Sequence, residues 1–205
     1  MGGLLHSLHR QRYGCNVSTS KRLHYGYEEY LRALEDSHLK LEYCDGVIYA
    51  MAGGTPAHGK LSAAASALLR AQLADTCKVF SSDVKIRIEA SDLSTFPDCS
   101  VVCGELERSK LDHNALTNPS VLVEVTSKST QDYDRGDKLS NYKQLSSLKA
   151  VLIVSHRRKS VTVIERDSAG WSEREARSGD VLRLSEPAIS LKVDDIYTGV
   201  DLEAD

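Results

Sequence analysis

The 205-residue sequence lacks the signatures of several large protein classes. No apolar stretch approaches the roughly 18 residues that a membrane-spanning helix requires, so a membrane protein is not expected. The GxGxxG and P-loop motifs of nucleotide-binding proteins are missing, so nothing indicates an organic cofactor. The HExxH motif of zinc proteases and the GxSxG motif of serine hydrolases are missing as well. The length suits one globular domain with a sizeable core.

Cysteine is scarce and scattered, at five residues in the whole chain. None forms a CxxC pair, and no Cys/His spacing matches a zinc site. We therefore expect buried free thiols in a protein of the reducing cytoplasm. The five positions are Cys15, Cys44, Cys77, Cys99 and Cys103.

Acidic residues are absent from residues 1–24, which carry a formal charge of +4, whereas the rest of the chain carries −7. This first segment shows no apolar periodicity. We predict that it is a disordered tail, and a transit peptide is the alternative. Residues 25–205 are predicted to form a single domain. A negative net charge does not indicate nucleic-acid binding. It does not exclude it either, because the carboxylates of a catalytic site also contribute to the net charge.

The N-terminal half of that domain predicts two helices, a hairpin and one amphipathic strand. Residues 26–37 have the i, i+3, i+4 spacing of a short helix, and Asp45-Gly46 is a favourable hairpin turn. Residues 57–76 form a long helix rich in alanine and leucine. Residues 78–90 alternate between apolar and charged side chains, which predicts a strand with only one covered face.

The C-terminal half predicts buried strands around a crossover helix. The runs "CSVV" and "VLVEV" are almost continuously apolar, as in strands covered on both faces. A helix over 134–147 and a strand over 149–155 follow, so the strands on either side of this helix should be parallel neighbours. Residues 160–184 predict an antiparallel meander. The fold class is therefore α/β, with the order αβββαβ between residues 58 and 155.

Two acidic residues stand out against this apolar background. Asp98 follows Pro97 at the mouth of one strand, and Glu124 interrupts the apolar run of the next. A buried carboxylate costs several kcal/mol unless it is paired, hydrogen-bonded or bound to a metal. Each residue alone has an ordinary explanation, as a strand cap or an ion-pair partner. Together on adjacent strands they would suit Mg²⁺ or Mn²⁺, which prefer oxygen ligands.

The stretches "YEEYLRALE", "SSDVKIRI", "FPDCSVVCGE", "VEVTSKST" and "DRGDKLSNY" occur in this order. In this arrangement, residues from about 25 to 166 resemble the Uma-type restriction endonucleases of the PD-(D/E)xK superfamily. The resemblance implies a restriction-endonuclease-like mixed β-sheet core flanked by helices. It also implies a metal-dependent endonuclease that acts on DNA as a homodimer.

The same resemblance implies roles for individual residues. Asp98 and Glu124 match the metal-binding pair, and the carbonyl of Val125 matches a third ligand. Glu42 in the hairpin matches a further acid that faces the site. His58 matches a family histidine, although a position at a helix start also explains it.

Two residues compete for the role of the site's lysine. The position two residues after the glutamate, where the fold usually has lysine, is Thr126 in this chain. Lys138 on the following helix is the first candidate for this role, and Lys128 is the second.

The main alternative function is a non-catalytic nuclease-fold protein that binds DNA or assists a transposase or another nuclease. The acidic charge and the displaced lysine motivate it. A metal hydrolase acting on a different phosphoester is a remoter third alternative.

Overall fold

The computed structural model describes residues 23–51, 53–127 and 136–202. No helix in these ranges is long and apolar enough to cross a membrane. Residues 1–22, which form most of the predicted tail, lie outside the described ranges, as does Lys128.

Four α-helices and thirteen strands are found in the described ranges. The helices are α1 (Tyr27–Asp36), α2 (Pro56–Gln72), α3 (Asp137–Tyr142) and α4 (Val193–Ile196). The first seven strands are β1 (Leu41–Cys44), β2 (Val47–Ala50), β3 (Cys77–Ser81), β4 (Lys85–Ile88), β5 (Leu93–Thr95), β6 (Cys99–Cys103) and β7 (Ala115–Leu116). The others are β8 (Val121–Val125), β9 (Ala150–Val154), β10 (Ser160–Asp167), β11 (Gly170–Arg177), β12 (Val181–Leu184) and β13 (Ile189–Lys192).

The strands form two larger sheets and a small one. The first has the order β2-β1-β5-β4-β7, the second β11-β10-β9-β8-β6-β3, and β12 pairs with β13. Within the second sheet β8 is antiparallel to β6 and parallel to β9. This confirms the predicted αβββαβ order: α2, β3, β6, β8, α3 and β9 occur in this order, and β4, β5 and β7 of the first sheet are inserted between them. It also confirms the predicted parallel pair around the crossover helix.

The six-stranded sheet is covered on both faces, as the apolar runs of its central strands predicted. Along β8, Val121 and Val123 pack with Leu61 of α2 in one core cluster. Leu122 lies in a second cluster with Leu139 of α3 and strands of the first sheet. Since neighbouring residues of a strand face opposite sides, Glu124 shares the side of Leu122.

The predicted hairpin is confirmed between β1 and β2. Their register joins Cys44 to Val47 across a two-residue turn. Asp45 and Gly46 both have positive φ, 44° and 80°. Positive φ at both central positions is the requirement of a type I′ turn, which matches the twist of the two strands.

The prediction of one amphipathic strand over 78–90 is wrong. The segment divides into β3 and β4, which belong to different sheets, and every residue of β4 is buried. Lys85 is buried because its Nζ lies 2.5 Å from Asp112 Oδ2. Arg87 is buried because its guanidinium pairs with Asp92 and lies 3.9 Å from the ring centroid of Tyr27 in α1. The face of β4 that carries the charged side chains is therefore covered, and its charges are paired. The alternation of apolar and charged residues in the sequence does not reveal these partners.

The predicted meander is correct only in its first part. Strands β9, β10 and β11 pair in sequence as antiparallel neighbours. The next strand, β12, pairs instead with β13 in the separate small sheet. That sheet adds Leu182, Leu184 and Leu191 to the core cluster on the α2 side, so burial of its apolar face decides its position.

The expectation of five free thiols is also wrong. Cys77 and Cys103 face each other in the register of β3 and β6 and form a disulfide. Cys44 is disulfide-bonded as well. Strand pairing brings together cysteines that lie 26 positions apart, and no local motif marks them. Cys99 is the free cysteine within the described ranges, and burial raises the pKa of its thiol to about 11.

Candidate functional site

Asp98 lies where the chain passes from the first sheet to the second. The segment 96–98 follows β5 and leads directly into β6. Asp98 Oδ2 accepts a hydrogen bond of 2.7 Å from the backbone N–H of Val125. His58 Nε2 lies 3.4 Å from the same oxygen. The carboxylate is therefore fixed by β8 on one side and by the first turn of α2 on the other.

Glu124 lies in the middle of β8 and projects between the second sheet and α3. Its side chain is only 6% exposed, and Lys138 Nζ lies 3.0 Å from its Oε1. The hydroxyl of Tyr142 donates a hydrogen bond to the same oxygen. One turn of α3 thus supplies both an ion pair and a hydrogen bond, which compensate for the burial of the charge.

Glu42 reaches the same place from the first sheet. Its Oε1 accepts hydrogen bonds from the hydroxyl of Thr95 and, at 3.2 Å, from the backbone N–H of Phe96. Lys138 Nζ lies 3.6 Å from that oxygen. The ammonium therefore contacts one glutamate from each sheet, and the site lies where the two sheets meet.

The structure brings the sequence-predicted residues together in two linked groups. Glu42, Glu124 and Lys138 form one ion-pair cluster, and Asp98 is hydrogen-bonded to Val125, the residue after Glu124. The two groups are joined through adjacent strands. Their catalytic and metal-binding roles remain predictions, and so does the choice of Lys138 over Lys128.

Tyr142 is a residue of the site that the sequence analysis did not identify. Its side chain is 1% exposed, and its hydroxyl donates a hydrogen bond to Glu124. Its position four residues after Lys138 was the available signal, because such positions share one helix face. Thr95 carried no comparable signal, since its contact with Glu42 depends on pairing between distant strands.

His58 was noted as a weak candidate, and both of its explanations apply. Its backbone N–H is capped by the hydroxyl of Thr55 at the start of α2. Its ring also contacts Asp98. The helix start therefore places the histidine at the site.

The position of the missing lysine holds a different polar pair. Thr126 Oγ1 lies 2.7 Å from His156 Nδ1, and both residues are buried. His156 follows β9, so the contact depends on the parallel register of β8 and β9. The Thr126 hydroxyl thus links the end of β8 to the loop after β9. The ammonium group at the site is that of Lys138 in α3.

Burial keeps the Tyr142 hydroxyl protonated. Loss of solvation raises its pKa well above the usual value of 10, and the nearby charge of Glu124 raises it further. The group is therefore a hydrogen-bond donor throughout the neutral pH range.

Replacing Tyr142 with phenylalanine tests this contact. A hydrogen bond to a charged group contributes about 1.5–3 kcal/mol to stability, compared with about 1 kcal/mol for a neutral one. Urea unfolding should therefore show a larger loss for Tyr142→Phe than for Tyr30→Phe, whose hydroxyl donates to the Leu41 carbonyl. Equal losses would mean that Glu124 gains little from the tyrosine.

Within the described ranges, no three His, Cys, Asp or Glu side chains form a group that could hold a metal ion. This finding excludes a zinc-like cage of side chains there. A Mg²⁺ site needs no such group, because Mg²⁺ is usually bound through one or two carboxylates and retains several waters.

Comparisons with known proteins agree with the fold. A solved structure titled as a "putative nuclease belonging to DUF820" from Anabaena variabilis superimposes with a TM-score of 0.68 at 16% identity. The match covers 83% of this chain and 96% of that one. At this identity the likeness shows a shared fold, which confirms the restriction-endonuclease-like class predicted from the sequence.

Sequence comparisons show the family. The model named Uma2, with the description "Putative restriction endonuclease", matches residues 27–194. The uncharacterized protein slr1290 of Synechocystis sp. is 36% identical over 84% of this chain and 91% of its own length. A second Synechocystis protein, sll1609, is 31% identical over 62% of this chain and 72% of its own length. The match over most of the chain confirms the resemblance seen in its motifs: the chain belongs to the Uma2 family.

Proposed function

We propose that this protein is a metal-dependent endonuclease that hydrolyses phosphodiester bonds in DNA, with Mg²⁺ or Mn²⁺ as its cofactor. One observation carries the proposal. Lys138 Nζ lies within 3.0 Å of Glu124 and 3.6 Å of Glu42 in a member of a family with the description "Putative restriction endonuclease". Asp98 is hydrogen-bonded to the strand that bears Glu124.

The donor set fits a hard divalent cation. Asp98 and Glu124 offer carboxylate oxygens from neighbouring strands, and the carbonyl of Val125 would be a third oxygen donor. Oxygen ligands of this kind suit Mg²⁺ and Mn²⁺ rather than softer metals. The chemistry that such an ion supplies when bound is neutralisation of phosphate charge and a lower pKa for a bound water.

The protein groups around the carboxylates keep them oriented. Tyr142 and Lys138 hold Glu124, while the Val125 amide holds Asp98. Because these contacts exist before substrate binds, little reorganisation is needed during the reaction, and preorganisation of this kind contributes strongly to catalysis.

Lys138 is suited to act on the phosphate. Its ammonium is held at the junction of the sheets by two carboxylates, and its side chain is 5% exposed. A positioned cation there would stabilise the negative charge that grows on the phosphate in the transition state, or orient the attacking water. In this proposal Glu42 is a positioning residue that holds the ammonium.

The test is a nicking assay on supercoiled plasmid with purified protein. We expect conversion to nicked or linear DNA with Mg²⁺ or Mn²⁺ and no conversion with EDTA. Metal-independent cleavage would overturn the dependence on metal. DNA binding without cleavage under any divalent metal would instead support the accessory-protein alternative.

We also propose that the protein acts as a homodimer, because a nuclease that cuts both strands of a duplex must reach two phosphodiesters. Light scattering at micromolar concentration should give twice the mass of the chain. A monomer mass across this range would contradict the proposal.

A further inference from the structure

The loop that joins β9 to β10 carries three consecutive basic residues. Arg157, Arg158 and Lys159 are all exposed, whereas His156 before them and Ser160 after them are buried. The loop is thus anchored at both ends, and its charged side chains extend into solvent. Exposed Arg and Lys side chains are the usual contacts to the phosphates of nucleic acid.

This loop lies at the edge of the sheet that bears the candidate site. Strands β8 and β9 are parallel, with Glu124 beside Ile153 and Val125 beside Val154. Adjacent strands lie about 4.8 Å apart and advance about 3.3 Å per residue, so the loop begins on the order of 10 Å from Glu124. The hydrogen bond between Thr126 and His156 fixes this spacing.

The existing partners of the loop leave it able to bind phosphate. Arg157 Nε donates a hydrogen bond of 3.3 Å to His156 Nε2. Arg158 Nη2 lies 2.7 Å from Glu175 Oε1, and Lys159 Nζ lies 3.6 Å from Asp194 Oδ1. The side chains of Arg158 and Lys159 are 65% and 46% exposed. Exposed pairs of this kind contribute only about 0–1 kcal/mol, so phosphate oxygens can compete with the carboxylates.

We propose that the basic loop, residues 156–159, binds the DNA backbone and positions the duplex against the Asp98–Glu124 edge. This inference rests on the proposed function and adds the element that holds the substrate. Each strand of a duplex carries one charge per about 3.4 Å of helix axis. A phosphate close to the scissile one along the same strand would therefore meet the loop.

The test compares two variants that each lose two positive charges. Arg157→Gln/Lys159→Gln changes the loop, and Lys78→Gln/Lys149→Gln changes the opposite edge of the same sheet, where β3 and β9 begin. Binding of a fluorescent duplex is measured in EDTA across a range of salt concentrations. Each phosphate contact adds about 0.9 to the slope of log K against log salt.

We expect the loop variant to bind at least about tenfold more weakly with a slope smaller by about 2. The control variant should match the parent. Equal binding by the loop variant and the parent would overturn the inference while leaving the proposed nuclease intact. The same conclusion follows if both variants weaken equally, because the effect would then come from net charge.

A small phosphodiester, bis(p-nitrophenyl) phosphate, separates the loop from the chemistry. It is too small to span the site and the loop together, so the loop variant should hydrolyse it at the parent rate with Mn²⁺. Loss of this activity in the loop variant would show a structural role and overturn the inference. If the parent hydrolyses this compound but does not bind duplex DNA, both the loop assignment and the DNA substrate are wrong, while the site chemistry stands.

Discussion

Asp98→Asn and Glu124→Gln are each expected to lower the metal-dependent rate of DNA cleavage on the order of 10³-fold, comparable to removal of a principal electrostatic group from an active site. Each substitution keeps the shape of the side chain but removes the negative charge of an oxygen ligand. Single-turnover cleavage at saturating DNA measures the effect. Binding of DNA in EDTA should change little, because the loss concerns the chemical step.

Stability must be followed in the same variants. Asp98 accepts a hydrogen bond from the Val125 amide, and Glu124 contacts Lys138 and Tyr142. Each substitution therefore changes contacts of the folded protein as well as the charge at the site. Asp92→Asn is a suitable control, because Asp92 pairs with Arg87 outside the candidate site. The assignment is wrong if Asp98→Asn and Glu124→Gln cleave like the parent, or if the control is equally slow.

Lys138→Met should lower the cleavage rate about 10²-fold or more, because it removes a positioned cation from the reacting phosphate. It should also destabilise the fold by about 3–5 kcal/mol, the usual result of removing one partner from a buried ion pair. Glu42 and Glu124 would then lie close together without the ammonium between them.

A double variant keeps this prediction testable if Lys138→Met fails to fold. Lys138→Met/Glu42→Gln removes one of the two buried carboxylates and should recover much of the stability, yet it should remain slow in cleavage. Lys143→Met, at the end of the same helix, is the control and should retain the parent rate. A normal rate for Lys138→Met together with a slow Lys128→Met would assign the role to Lys128.

The sequence was sufficient for the core of the fold because its signals are local. The apolar run of β8, the Asp45-Gly46 turn and the crossover through α3 depend on neighbouring residues. Asp98 and Glu124 were identified because a carboxylate beside a buried strand is costly and therefore conspicuous.

Other features depend on which distant segments meet. The burial of Lys85 requires Asp112, and the burial of Arg87 requires Tyr27 in addition to nearby Asp92. No local pattern connects Lys85 with Asp112 or Arg87 with Tyr27. The link between Thr126 and His156 requires the register of β8 and β9. The disulfide of Cys77 with Cys103 likewise follows from strand pairing.

Anomalous diffraction from crystals soaked in Mn²⁺ would locate the metal ion. We expect one strong peak ligated by carboxylate oxygens of Asp98 and Glu124 and by the carbonyl of Val125, at distances of about 2.0–2.2 Å. We also expect the peak to disappear in Asp98→Asn crystals. If the protein cleaves DNA with Mn²⁺ but binds the ion elsewhere, or keeps the peak without Asp98, then Asp98 and Glu124 do not form the catalytic metal site.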